Sequence, residues 1–209
     1  MRVILASTSP RRRELLALLG VPFEVMAPKF DERVSPHLTV EEEVLDFAAG
    51  KAASVADTNP GSIVIGSDTM IFLNGEKIGK PFDEADARRI LGILSGKTHT
   101  IYTSVAIIDG GGGPGLRDIE TVDVDMRGFT AEEIERYLAT GESADKAGGY
   151  SIQGEGRSLI AGIRGDYLAA VGMPLRAIAG YLKSRGVKVP CDVDKIYQDK
   201  TFPNWRNFD

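Results

Sequence analysis

The chain has 209 residues, enough to bury a sizeable core in one larger domain or two closely joined lobes. Hydrophobic residues make up 43% and charged residues 26%, the balance of an ordinary globular protein, and no apolar run approaches the roughly 18 residues of a membrane helix. The net charge of −5 argues against a nucleic-acid polymer as partner and confines any anion site to a local one, suited to a small ligand.

In chain order, Val3–Ala6 reads as a short buried strand, running straight into Ser7–Arg13. Arg11–Leu19 is predicted helical and closed by Gly20, with Leu15, Leu16, Leu18 and Leu19 inward. Thr39–Ala56 is a second helix with an acidic first turn at Glu41–Glu43. Ile63–Ile65 is an apolar strand. Met70–Leu73, Asn74-Gly75 and Glu76–Ile78 give a hairpin with a type I′ turn. Asp83–Leu94 is a helix, and His99–Asp109 and Gly115–Arg127 are strands around the glycine-rich connection Gly110–Gly115. Thr130–Ala139 opens with a capping box, Thr130 and Glu133. Ser158–Ile163 and Tyr167–Val171 read as strands, and Pro174–Arg185 as a helix with proline near its start. Strands and helices interleave with hairpins, so the expected class is α/β with a sheet of mixed direction. From Val187 the chain turns polar and carries its one tryptophan, Trp205; this segment reads as a docked or partly disordered tail. The expected division is a domain over 1–187 and a tail over 188–209.

Three motif matches fail on context. Gly110–Gly115 satisfies GxGxxG, but a strand follows it where a dinucleotide site needs a helix. Ser95-Gly96-Lys97-Thr98 resembles the end of a phosphate-binding P-loop, yet Leu91 stands where its first glycine belongs. Arg164-Gly165-Asp166 matches an adhesion tripeptide by coincidence.

The informative oddity is at the first helix. Ser9 suits an N-cap and Pro10 the first helical position, but Arg11, Arg12 and Arg13 then fill a turn that already carries positive partial charge. Cations there cost a few tenths of a kcal/mol each, about 0.3 or more, unless an anion joins them. Free amides, the hydroxyls of Ser7 and Ser9, and the arginines all point to such an anion. At about 100° per residue the three arginines cannot converge, so Arg11 and Arg12 are the expected ligands and Arg13 is set aside. Taken alone, the run also fits a solvated basic face. Asp68 lies between two apolar strand segments, where a carboxylate must pair, bind metal or act as a base. Lys51, Lys80 and Lys146 have local contexts of interest, and the amide of Gln153 suits the edge of a base. Two histidines and one cysteine, Cys191, cannot furnish a zinc centre. A metal here would be a hard cation, Mg²⁺ or Mn²⁺, held by carboxylates and phosphates. The single cysteine and the absence of a signal-like apolar region predict a reducing cytoplasm.

Taken together, Leu5-Ala-Ser-Thr-Ser-Pro-Arg-Arg, Lys51-Ala52, Gly66-Ser-Asp-Thr, Gly79-Lys-Pro, Ser95-Gly-Lys-Thr-His and Asp145-Lys-Ala-Gly-Gly-Tyr-Ser-Ile-Gln-Gly resemble the Maf family, the septum formation inhibitor proteins. Gly165-Asp-Tyr and Val171-Gly-Met-Pro-Leu also fit, and the resemblance spans about residues 2–185. It implies a fold related to inosine triphosphate pyrophosphatases, with a cleft between two lobes. It further implies a homodimer and a nucleoside triphosphate pyrophosphatase. By that resemblance Ser7, Arg11, Arg12, Lys51 and Lys80 hold the triphosphate and Asp68 accepts a proton or binds the metal, with Glu32 a further metal-side carboxylate. The trio Arg12, Thr69 and Gln153 resembles the subset acting on dTTP and UTP. Two other readings stay open: a nucleotide-binding regulator of cell division without turnover, and a phosphatase releasing single phosphates. Gly50 ahead of Lys51 and Ser67 ahead of Asp68 depart from the family pattern.

Overall fold

A computed structural model gives the structure of the chain, described for residues 1–113, 115–144 and 146–208. Pro114 of the glycine-rich connection, Asp145 of the Asp145–Gly154 stretch and Asp209 of the tail lie outside the described residues.

Among the described residues the sheet has seven strands: β1 (Arg2–Ala6), β2 (Glu24–Met26), β3 (Ser62–Leu73), β4 (Glu76–Ile78), β5 (Thr98–Asp109), β6 (Leu116–Met126) and β7 (Ile160–Arg164). Their order is β2-β1-β3-β5-β6-β7, with β4 on β3. β1 runs parallel to β2 and β3, and every other pair is antiparallel, so the expected mixed sheet is present. The helices are α1 (Pro10–Ala17), α2 (Val40–Ala56), α3 (Glu84–Leu94), α4 (Ala131–Leu138), α5 (Tyr167–Val171), α6 (Leu175–Ser184) and α7 (Val193–Asp199).

Side-chain alternation divides the core. Val3, Leu5, Ile63 and Ile65 face the main apolar cluster with α1, α3 and α6. Ile4, Ala6 and Val64 face the other way, onto Ala52 and Val55 of α2. The same alternation continues along β3: Met70 meets Val40, Val44 and Phe47 of α2, while Ile71 and Leu73 return to the main cluster.

β3 is one continuous strand of 12 residues, not two short strands around Asp68. Its β5 side is paired from Ile63 to Phe72. On its other side β1 covers Ser62–Ile65 and β4 covers Ile71–Leu73. Gly66–Met70 therefore form an interruption in the sheet, bounded by the end of β1 on one flank and β4 on the other. Within that interruption, Asp68–Met70 line a cleft.

Local signals account for much of the rest. Asn74 and Gly75 both have positive φ, 51° and 91°, as a type I′ turn requires. Thr39 and Thr130 both complete capping boxes, with Glu42 and Glu133. The glycine-rich connection joins antiparallel β5 and β6, as a hairpin loop.

Several expectations need correction. Tyr167–Val171 is helical, not a strand: the Asp166 carboxylate accepts from the amides of Leu168 and Ala169, and all five residues are buried, so no alternation distinguished the two. Asp166 of the adhesion-like tripeptide is thus a helix cap. Gly154–Leu159 forms a 3₁₀ segment ahead of β7, where a strand was expected from Ser158. β2 and α7 carry too few residues for a periodic signal and were missed. The segment after Val187 is docked: Val193, Phe202 and Trp205 are buried in the main cluster.

Candidate active site

The cleft over Asp68–Met70 has a volume of about 670 Å³. The loop after β1 and the start of α1, the segment between β2 and α2, and α2 itself line it, with β3, the turn after β4 and the Tyr150–Gln153 stretch.

Ser7 leaves β1 directly into the cleft and is buried; its Oγ accepts from the Ser9 amide at 3.1 Å. Ser9 has the extended backbone of a cap, but its side chain makes no capping bond, contrary to expectation. Pro10 has no N–H to offer, and the Ser9 hydroxyl is not turned over the first turn. No side chain therefore caps α1, and the polarity of its N-terminus remains directed at the cleft.

Arg11 and Arg12 line the cleft and Arg13 is exposed, as the helical spacing predicted. Arg12 is also a structural strut: Nε donates to the Gly172 carbonyl at 3.1 Å and Nη2 to Thr69 Oγ1 at 3.3 Å. Burial pulls its pKa down and Arg11 adds to this, while Asp68 and Glu32 oppose it. Thr103 on β5 holds the same corner, with Oγ1 2.8 Å from the Ala169 carbonyl and 3.2 Å from Thr69 Oγ1. Ser67, the departure from the family pattern, donates to the Gly172 carbonyl at 3.1 Å.

Asp68 sits on the opposite face of β3 from Ser67 and Thr69, toward α2. Lys51 Nζ lies 2.5 Å from Asp68 Oδ1 and 2.6 Å from Glu32 Oε1. Lys51 and Asp68 are both buried. Lys51, expected on the phosphates, is thus held between the two carboxylates. Desolvation pushes Glu32 upward, but the hydrogen bond and charge of Lys51, with Lys80 and Arg12 adding, bring its carboxyl below the ordinary value. Glu32 is ionised at neutral pH.

The loop carrying Glu32 is fastened by residues the sequence reading passed over. Lys77 on β4 donates to the carbonyls of Ser35 and Leu38 and pairs with the buried Glu43 at 2.9 Å. Glu43 also accepts from the Ser35 amide. In sequence Glu43 looked like one of three acids favouring the helix start, and only burial separates it from Glu41 and Glu42. Gly50 has a packing reason: a Cβ there would meet the Phe30 ring at 2.1 Å. That ring also packs edge-on against Phe47, with centroids 5.9 Å apart, and brings the Glu32 loop onto α2.

Lys80 and Lys146 both line the cleft, Lys80 exposed and Lys146 donating to the Glu142 carbonyl at 2.7 Å. Gln153 lines the cleft half-buried, next to Tyr150. Behind Tyr150 is His99, the last residue of the Ser95-Gly-Lys-Thr-His stretch, for which no role was expected. His99 Nε2 lies 2.7 Å from the Tyr150 hydroxyl, and Nδ1 is buried without a partner.

Burial drops His99 to about 4, with Asp123 and Asp125 only partly opposing it. The folded state therefore holds His99 neutral where the unfolded chain would protonate it. Stability from this residue is complete above about pH 6.5 and is lost as pH falls toward 4. That gap corresponds to about 3 kcal/mol between neutral and pH 4. Denaturant unfolding from pH 7 to 4 should show a smaller loss for His99→Phe than for the wild type; equal slopes would refute the assignment.

The matches to known proteins agree with this architecture. A family model described as Maf-like protein matches residues 2–185. A protein of Moorella thermoacetica named dTTP/UTP pyrophosphatase is 46% identical over 189 residues, covering 90% of this chain and 97% of its own. One of the same name from Bacillus cereus is 41% identical over 188 residues, with the same shares covered. Among solved structures, the Ham1 protein of Staphylococcus aureus shares the fold, with a TM-score of 0.52, 15% identity, and 88% of this chain and 100% of that chain covered. No described helix is long and apolar enough to cross a membrane. With its sheet, its cleft and its motifs in family order, the chain belongs to the Maf-like protein family.

Proposed function

We propose that this protein is a nucleoside triphosphate pyrophosphatase that hydrolyses dTTP and UTP to the monophosphate and pyrophosphate. The observation that carries the reading is one cleft holding both charge types: Glu32 and Asp68 on one ammonium, facing a basic, uncapped helix start and Lys80. The names of the relatives supply the substrate.

In this reading Ser7, Arg11, Arg12 and Lys80 bind the triphosphate and favour charge that grows on the leaving pyrophosphate. A water oxygen attacks the α-phosphorus in line, and the bond to the α–β bridging oxygen breaks. Asp68 orients that water and takes its proton. Lys51 holds Asp68 and Glu32 side by side, and Arg12 carries Thr69 with it.

The donor set suits a hard divalent cation. Two carboxylates share one small cation already, and among the described residues no cluster of three or more ligating side chains exists. Mg²⁺ or Mn²⁺ is commonly held in this way, by one or two carboxylates with substrate phosphates completing the shell. Asp68 and Glu32 would hold it, and when bound it neutralises phosphate charge and acidifies water.

The test is chromatographic: dTTP, UTP, CTP and GTP are incubated with Mg²⁺ and all products resolved. Monophosphate and pyrophosphate are expected from dTTP and UTP. Orthophosphate as the first product would establish a phosphatase, and binding without turnover a nucleotide-sensing regulator. Gln153→Ala should raise KM for dTTP about tenfold, the worth of one or two base-edge hydrogen bonds, with little effect on kcat. An unchanged KM would remove Gln153 from base recognition.

A further inference from the structure

The tail lies beyond the region matched by the family, yet it is built into the body at two places. The first anchor is on α5 and α6. Trp205 stacks on Tyr167, with centroids 5.2 Å apart and planes at 15°. Tyr197 meets Trp205 edge-on at 5.2 Å, lies under the Arg176 guanidinium at 4.0 Å, and donates its hydroxyl to Asp166 at 2.6 Å. Tyr167 in turn donates to the Pro203 carbonyl at 2.6 Å. Asp166 is the cap of α5, and the Gly172 carbonyl at the far end of α5 holds Arg12.

The second anchor is on the chain around Gln153. Asn204 Nδ2 donates to the carbonyl of Ile152, the residue before Gln153, at 3.4 Å. Four residues after Gln153, Arg157 Nη2 donates to the Asn207 carbonyl at 3.3 Å, and its guanidinium lies 5.6 Å from the Phe208 ring centroid. The Gln153 segment is thus gripped on both sides by the tail, while Glu142 accepts from the amides of Glu155 and Gly156.

We propose that residues 188–208 act as a clamp that joins α5, on the Arg12 side of the cleft, to the Gln153 segment, and so position Gln153 for base selection. This rests on the reading of Gln153 as the base-facing residue. Without the clamp the Gln153 segment keeps its Glu142 contacts but loses its attachment to the element that holds Arg12. The tail residues touch no reacting atom: they are positioning residues. A side chain that orders a recognition loop lowers the cost of immobilising that loop when the ligand binds.

The full-length double variant Asn204→Gly/Arg157→Met tests this. Glycine keeps the positive φ of 65° at position 204, and methionine keeps an unbranched stem at 157, so Trp205 and Phe202 stay packed. Hydrogen exchange of the amides of residues 151–157 should accelerate about tenfold, with β3 unchanged. KM for dTTP should rise about fivefold with kcat within about twofold, while inhibition by inorganic tripolyphosphate, which has no base, stays the same. In a Gln153→Ala background the double variant should add nothing to KM. Unchanged exchange over 151–157 overturns the proposal, as does an equal loss of affinity for dTTP and tripolyphosphate, which would mark general loosening. If the wild type releases no pyrophosphate from dTTP, the proposed function fails separately. Exchange, with dTTP affinity by calorimetry in place of KM, then still decides the clamp.

Discussion

Asp68→Asn is expected to lower kcat for dTTP by about a thousandfold, the range for losing a general base, while the protein stays folded. The substitution is nearly isosteric and removes one negative charge from a buried position. Breaking a buried ion pair outright costs about 3–5 kcal/mol, because the surviving charge is stranded. Here it is not stranded: Lys51 keeps Glu32 at 2.6 Å, and Glu32 is held ionised. The stability loss should therefore be nearer about 1 kcal/mol, a drop in Tm of about 3 °C by calorimetry. Single-turnover product analysis with saturating dTTP and Mg²⁺ checks the chemical step. Turnover near the wild-type rate would remove Asp68 from the mechanism and with it the proposed role of the Lys51 triad.

Gly66→Ala is expected to destabilise the protein strongly, because the added methyl meets backbone atoms. A Cβ at Gly66 would lie 2.2 Å from the Ala48 carbonyl oxygen and 2.8 Å from the Ala52 amide nitrogen. Both are backbone atoms of α2, so no rotamer change relieves the clash. The helix must move off β3, which opens the packing of Ala52 and Val55 on Ile4 and Val64. It also draws Lys51 from Asp68. A loss of about 3 kcal/mol or more is expected, read as a fall of about 10 °C in Tm and a lower urea midpoint. Activity at low temperature should fall with it, because the same motion separates the site's charges. Gly92→Ala is the contrast: nothing lies within 4 Å of a Cβ there, and it is inside α3. That change should stabilise by up to about 1 kcal/mol. If the two variants melted alike, close approach of α2 to β3 would not be what glycine serves at position 66.

Most of the longer elements, the hairpin at Asn74-Gly75, the two threonine caps and the mixed character of the sheet were legible in the sequence, while β2, α7 and the helical state of Tyr167–Val171 were not. Each depends on residues within a few positions of one another, and local chemistry decides turns and helix starts. The same holds for the basic helix start, where a charge in the wrong place for a helix pointed to an anion. Arg13 could be set aside on the 100° step alone, and it is exposed.

Tyr167–Val171 shows where local reading ends. A segment buried all round has no periodicity to read, and its helical state is settled by the Asp166 cap and the elements packed over it. Lys51 is a second case. Family resemblance placed it among phosphate ligands, but only the packing of α2 on β3, through Gly66, and the fastening of the Glu32 loop by Lys77 and Glu43 set it between two acids. The tail is the third: its polar composition left docking and disorder open, and Trp205 found a stacking partner 38 residues upstream in Tyr167, while Phe202 is buried in the main core.

By itself, the sequence determined most of the longer elements, the fold class and the kinds of charge the site would contain, because these follow from local propensity, period and residue chemistry. The tertiary structure alone decided that β3 would be left uncovered over Gly66–Met70, which carboxylates would share an ammonium, and which segments the tail would join. Those are contacts between residues far apart in the chain, set by how two faces of one sheet are packed, and no local pattern encodes them.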